Sequence, residues 1–196
     1  MNPDSKITGV VLAGGQARRM ANRDKGLVLF KNRPLVEYTI AAMQPLVDEL
    51  FINANRNLDA YQKFGWPVIT DLSNNFDGPL AGIMTAMEHA NSPLVLIAPC
   101  DSPLIKPSHL ERLLTARAEQ DAEITVAFAN NRLQPVFLAV KTELKEHLSA
   151  YLAQGNRKMF DWLNQHRFVS VDFGDAQELF ININTMDELA ALESHY

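Results

Sequence analysis

Short apolar runs alternate along this chain with segments whose apolar residues recur at helical spacing. This alternation limits the available folds more than any other feature of the sequence. Residues 7–13 form an apolar run rich in Val and closed by Gly14 and Gly15, the pattern of a strand buried on both faces. Further strands are expected at residues 50–54, 67–70, 94–98, 124–129, 136–140 and 168–173. Between them lie helical patterns. Leu35, Tyr38, Thr39, Ala42 and Met43 share one face of a helix that Pro45 ends. Leu80, Ile83, Met84 and Met87 do the same in a segment opened by Pro79, which suits a first helical turn. Ser108 with Glu111, and Thr185 with Glu188, have the spacing of capping boxes, and helices are also expected at residues 142–152 and 158–165.

Such a βαβ succession predicts an α/β protein, Rossmann-like, with a mostly parallel twisted sheet and helices on both faces. The 196 residues contain no repeat, low-complexity tract or Gly/Ser linker, so a single domain over residues 1–196 is expected. With 47% hydrophobic residues there is material for a sizeable core. The single cysteine, Cys100, excludes an internal disulfide and a cysteine-based zinc site, and it reads as a small buried hydrophobe. No signal peptide or membrane span is expected, which points to the cytoplasm. The net charge of -5 argues against a nucleic-acid or membrane-surface partner.

In a parallel α/β sheet, ligands bind beyond the carboxyl ends of the strands. The residues just past each expected strand are therefore candidates. After the first come Gly14 and Gly15, with Arg18, Arg19, Arg23 and Lys25 close behind; after the second, Asn53, Asn55 and Arg56; after the third, Asp71; after the fourth, Cys100 and Asp101. A late segment contributes Asn182 and Asn184. These polar groups gather on one rim.

Glycines after a strand let the backbone turn sharply and bring N–H groups close to a ligand. Four cations crowded behind such a turn repel one another unless an anion sits among them, so the loop reads as a phosphate cradle. A plain tight turn with a solvated basic loop is the bland alternative. The loop is neither a Walker A motif nor a GxGxxG fingerprint. Asp101, emerging from the buried run LVLIAPC, is either a turn residue before Pro103 or a carboxylate that holds Mg²⁺, an ion that prefers one or two carboxylates with phosphate oxygens and water. Cations opposite such a carboxylate fit a nucleoside triphosphate. The five histidines show no metal-ligand spacing, Trp66 and Trp162 read as core, and Arg157 with Lys158 offers a second place for an anion.

The segments LAGGQARRM, DKG, NANR, GPLAG, CDSP and NINT, in that order and spanning almost the whole chain, resemble the molybdenum cofactor guanylyltransferases. These belong to the wider nucleotidyltransferases of Rossmann-like fold. The resemblance implies a transfer of GMP from GTP to the terminal phosphate of the molybdopterin cofactor, with release of pyrophosphate. It also implies that Leu12, Ala13 and Gly14 contact GTP by their backbone with Gly15 close by, and that Lys25, Asn53, Asp71 and Asp101 bind the nucleotide. Asp101 would carry the Mg²⁺, Arg19 would touch the triphosphate, and Asn182 and Asn184 would lie near the second substrate. Where the family has Gly after Arg-Met, this chain has Ala21 and Asn22, and Asn tolerates the left-handed backbone region. For the base, either backbone carbonyls or the Asp71 carboxylate would accept from guanine. The resemblance further implies partners among molybdenum-inserting and cofactor-accepting enzymes, and the chain is expected to act as a monomer. Two other readings stay open: a cytidylyl- or sugar-1-phosphate nucleotidyltransferase, and a non-catalytic nucleotide-binding protein.

Overall fold

A computed structural model describes residues 6–14, 24–71, 78–181, 183 and 185–195. In chain order the strands are β1 (Ile7–Leu12), β2 (Leu29–Phe30), β3 (Arg33–Pro34), β4 (Glu49–Asn53), β5 (Val68–Ile69), β6 (Leu94–Pro99), β7 (Ile124–Ala129), β8 (Arg132–Lys141) and β9 (Phe168–Asp172). Seven of them form the central sheet, in the order β5-β4-β1-β6-β8-β7-β9. The short β2 and β3 pair antiparallel in a separate hairpin, whose turn places Lys31 and Asn32 at positive φ.

β1 runs parallel to β4 and β6, β4 parallel to β5, and β7 parallel to β9. Only β8 is reversed, pairing antiparallel with both β6 and β7. The sheet is thus the mostly parallel one expected. The reversed strand is longer than residues 136–140, because it leaves β7 through a tight turn in which Asn130 and Asn131 both adopt positive φ. A two-residue turn of that geometry matches the twist of a hairpin, and Asn tolerates it better than most residues.

Helices cover both faces. Val11, Ile52, Leu96 and Ala139 point to the side where α1 (Leu35–Met43) and α4 (Pro107–Glu119) pack. Val10, Val95, Ile97, Leu138 and Val140 point the other way, towards α3 (Pro79–His89), α5 (Lys145–Ala153) and α6 (Met159–Leu163). Adjacent residues of one strand serve opposite cores because successive side chains alternate across a sheet. This is why the central runs are apolar throughout. A third cluster joins Phe30 and Leu35 to Ile183, Leu189 and Leu192, the last two on α7 (Met186–His195). Among the described residues the remaining α-helix is the short α2 (Leu58–Gln62).

Local signals behaved unequally. Thr185 and Glu188 do form a reciprocal cap: Glu188 N–H donates to Thr185 Oγ1 at 3.1 Å, and Thr185 N–H donates to Glu188 Oε2 at 2.9 Å. Ser108 and Glu111 do not. α4 starts earlier, with Pro107 in its first turn, and His109 Nδ1 accepts from the Lys106 N–H at 3.2 Å. Proline at the first helical position needs no N–H partner, so it sets the boundary ahead of the Ser. The helix expected over residues 142–152 begins as a 3₁₀ turn, Thr142–Leu144, and the one expected over 158–165 is confined to α6. Trp162 is wholly buried, and Trp66 packs partly buried against the core on the α1 side. Among the described residues no helix is long and apolar enough to cross a membrane.

Candidate functional site

A cleft of about 580 Å³ opens beyond the carboxyl ends of β1, β4, β5 and β6. It is lined by Leu12, Ala13 and Gly14 after β1, by Asn53 and Asp71 from the ends of β4 and β5, and by Cys100, Asp101 and Ser102 after β6. Asp24 and Lys25 complete this side, and Gly78, Pro79 and Gly82 present the first turns of α3. A helix N-terminus carries free N–H groups and a partial positive charge, so this wall favours anions.

The residues expected to act together do meet. Lys25 Nζ lies 3.1 Å from Asp101 Oδ2, although 76 residues separate the two in sequence. Both side chains remain partly exposed to the cleft, at 24% and 18%. A pair this accessible stabilises the fold by about 1 kcal/mol at most. It can therefore exchange its partners for a charged ligand at little cost.

Asp71 is held from behind. Asn53 Nδ2 donates to its Oδ1 at 2.9 Å, and Asn55 Nδ2 donates to its Oδ2 at 2.7 Å. Asn55 Oδ1 in turn accepts from the Asp71 N–H at 2.9 Å, tying the ends of β4 and β5 together. Asn53 is almost fully buried, and it and Asn55 each fit only because a neighbouring residue lacks a side chain. A Cβ on Gly82 would stand 2.9 Å from Asn53 Oδ1 and 2.9 Å from Leu12 Cδ2, and one on Gly14 would stand 2.9 Å from Asn55 Nδ2. Near the glycine turn the sheet already uses two peptide groups, Ala13 N–H donating to Asn53 O at 2.8 Å and Cys100 N–H to Leu12 O at 3.0 Å.

Lys25 stands in a 3₁₀ turn, Lys25–Leu27, that begins beside a buried carboxylate. The Tyr61 hydroxyl donates to Asp24 Oδ1, and Asn57 Nδ2 donates to Asp24 Oδ2 at 3.1 Å. Burial, then the neighbouring Cys100 and Asp24, push the Tyr61 hydroxyl well above the usual phenol range, so it remains a donor. Burial likewise raises the Cys100 thiol, with Asp101 and Asp24 adding to the effect. Cys100 is accordingly an inert core residue rather than a nucleophile.

Several residues of this cleft had no signal in the sequence. Gln134, Val136 and Phe137 come from β8, the reversed strand, and Phe180 and Ile181 from the segment after β9. A rule that looks only past the carboxyl end of each strand misses them, because an antiparallel strand brings its beginning, not its end, to the rim. β8 is also bulged there: Val126 faces Leu138 while Ala127 faces Gln134, so β8 advances four residues against one on β7. Pro135 sits inside the bulge, where its missing N–H leaves no ladder bond unmade. Phe137 packs edge-to-face on Phe180 with ring centroids 4.9 Å apart, giving the cleft an apolar stretch of wall.

Gly15, Arg18, Arg19, Ala21, Asn22, Arg23, Asn182 and Asn184 lie outside the described residues. Arg157 and Lys158 do not line the cleft. Arg157 Nη1 holds the Leu152 and Asn156 carbonyls, each at 2.7 Å, and Lys158 is almost fully exposed. Among the described residues no group of three or more His, Cys, Asp or Glu could hold a metal ion.

Comparison with known proteins gives a consistent picture. The family model described as MobA-like NTP transferase domain matches residues 9–169. A molybdenum cofactor guanylyltransferase of Shewanella halifaxensis is 41% identical over 94% of this chain and 92% of its own length. One from Shewanella sp. (strain MR-4) is 43% identical over 93% of each. Among solved structures, molybdopterin-guanine dinucleotide biosynthesis protein A from Archaeoglobus fulgidus superposes with a TM-score of 0.79. It is 23% identical, over 96% of this chain and 97% of that one, a likeness of fold.

Proposed function

This chain belongs to the MobA-like NTP transferase family, and from that premise we propose that its cleft transfers GMP from GTP to the terminal phosphate of the molybdopterin cofactor. The observation that carries the reading is the meeting of Lys25 and Asp101 at the mouth of a mostly parallel sheet, in the cleft that the paired Asn53 and Asp71 also line.

The reaction needs little acid–base chemistry. A phosphate monoester has a second pKa of about 6, so the attacking oxygen is already ionised at neutral pH. It forms a bond to the α-phosphorus of GTP as the bond to the β-phosphate oxygen breaks, and pyrophosphate leaves with the electron pair. Among the described residues no histidine lines the cleft, in keeping with a reaction that has no proton to remove. The obstacle is electrostatic: two unit anions about 4 Å apart repel by roughly 4 kcal/mol at an effective dielectric of about 20. Lys25 offsets that repulsion and the charge that builds on pyrophosphate, a role that Arg19 would share. Asn53 and Asp71 hold the nucleoside end.

Asp101 fits a hard divalent cation. Lys25 occupies Oδ2, and the described residues form no hydrogen bond to Oδ1. Mg²⁺ prefers one or two carboxylates completed by phosphate oxygens and water, so a site with a single carboxylate takes up its ion together with the triphosphate. Bound there, Mg²⁺ would neutralise charge on the phosphates. Asn182 and Asn184, which follow closely on Phe180 and Ile181 in the chain, would meet the second substrate.

A nucleotide panel tests the reading. Pyrophosphate release is measured with GTP, CTP, ATP or UTP, with and without molybdopterin. Release that requires both GTP and molybdopterin is expected, since a pocket whose buried polar groups match one base rejects another by about 10⁴ to 10⁵. Equal rates with CTP would refute guanylyl specificity, and release without molybdopterin would indicate a hydrolase.

A further inference from the structure

Tyr61 has no surface on the cleft and is fully buried, yet it touches both residues that flank Lys25. On one side its hydroxyl donates to the buried Asp24 carboxylate. On the other its ring lies against Gly26, so closely that a Cβ there would overlap Tyr61 Oη and stand 3.2 Å from Cε1 and Cζ. Asn57 completes the fixture. Its left-handed backbone, φ 53 and ψ 35, starts α2, and its carboxamide takes the second Asp24 oxygen. Asn57 O also accepts from the Tyr61 N–H at 3.2 Å, so the two donors are locked to one another.

We propose that Tyr61 is the positioning residue for Lys25: by clamping Asp24 and Gly26 from within the core, it fixes the turn that presents the ammonium group to Asp101 and to the phosphates. This rests on the proposed guanylyl transfer. The chemistry requires such a fixture. A lysine ammonium is a point charge on a flexible four-carbon stem, and it contributes to a transition state only where its root is held. Both oxygens of the Asp24 carboxylate accept from neutral donors, which holds it in place beside Lys25.

The test is Tyr61→Phe, which deletes the hydroxyl and keeps the ring. kcat should fall about tenfold to a hundredfold, the scale for displacing a catalytic group by about 1 Å. KM for GTP should change less than about threefold, because Asn53 and Asp71 are untouched. In a Lys25→Ala background the same substitution should cost less than about twofold, since a residue that acts through Lys25 has nothing left to position. Full additivity of the two losses would overturn the proposal. Asn57→Ala, which leaves the buried ring alone, should reproduce the kcat effect in weaker form. A second readout is independent of turnover. The side-chain amine resonance of Lys25, assigned by its loss in Lys25→Ala, should shift in Tyr61→Phe, and an unchanged resonance overturns the proposal. Should the wild-type chain transfer no guanylyl group, the functional reading falls, while this resonance still decides the role of Tyr61.

Discussion

Replacing Gly82 with Ala would place a single methyl group between the nucleotide cleft and its supporting shell. The new Cβ would lie 2.9 Å from Asn53 Oδ1 and 2.9 Å from Leu12 Cδ2, closer than such contacts are tolerated, so both side chains must give way. Leu12 is the end of a central strand paired on both sides, with Asn53 and with Pro99. The Asn53 carboxamide yields first, and with it goes the 2.9 Å bond to Asp71. A hydrogen bond to a charged acceptor contributes about 1.5–3 kcal/mol. At about 1.36 kcal/mol per factor of ten, kcat/KM for GTP should fall by roughly 10- to 150-fold. Fold stability should suffer less, because Ala exceeds Gly in helix propensity by about 0.8–1.0 kcal/mol and Gly82 lies within α3. Steady-state pyrophosphate release gives the first number, and a thermal melt gives the second. Adding Asn53→Ala should recover melting temperature without recovering activity, since it removes the obstructing amide and the contact together. A Gly82→Ala variant that keeps kcat/KM within about threefold of wild type would show that the Asn53–Asp71 pairing does not shape the nucleotide site.

Lys25→Ala and Asp101→Ala should each lower kcat by about a hundredfold or more, the scale for losing one preorganised charge-stabilising group; a near-normal rate for Asp101→Ala that still requires Mg²⁺ would remove Asp101 as the metal ligand. Burial and the adjacent His147, whose Nδ1 lies 3.1 Å from His166 Nε2, hold the His166 pKa below its usual 6.5. The unfolded chain therefore takes up this proton first as pH falls, so stability is full above about pH 6.5 and declines below it until the folded-state pKa is passed. Melting curves between about pH 7.5 and pH 5 should show that decline, and His166→Gln should flatten it. Thr185→Ala removes the reciprocal cap of α7 and should cost about 1 kcal/mol, read as a fall of about 2–4 °C in Tm with nucleotide affinity unchanged.

Much of the cleft was legible in the sequence because its residues obey local rules. Gly14, Asn53, Asp71 and Asp101 each lie at or near the end of an apolar run that reads as a buried strand, and a parallel sheet sends all such ends to one side. Lys25 was one of four cations crowded behind the glycines, and the family resemblance singled it out. The Asp24–Tyr61 contact was not, since no spacing rule links two residues 37 apart that meet only after α2 folds back beneath the turn. The Ser108 cap failed for a different reason. Two local signals competed within a few residues, and Pro107 set the helix start.

The sequence alone determined the seven strands of the central sheet and most of the helices, though not the β2–β3 hairpin or α2, and hence which polar side chains reach the rim. These outcomes stem from side-chain periodicity and from glycine and proline, which act within a few residues. The tertiary structure alone decided that β8 runs backwards and bulges, bringing Gln134, Val136 and Phe137 into the cleft, and that a buried tyrosine lies against the turn that carries Lys25. An apolar run reads the same in either direction, so strand polarity and register emerge only when the sheet is assembled and each backbone donor must find its acceptor.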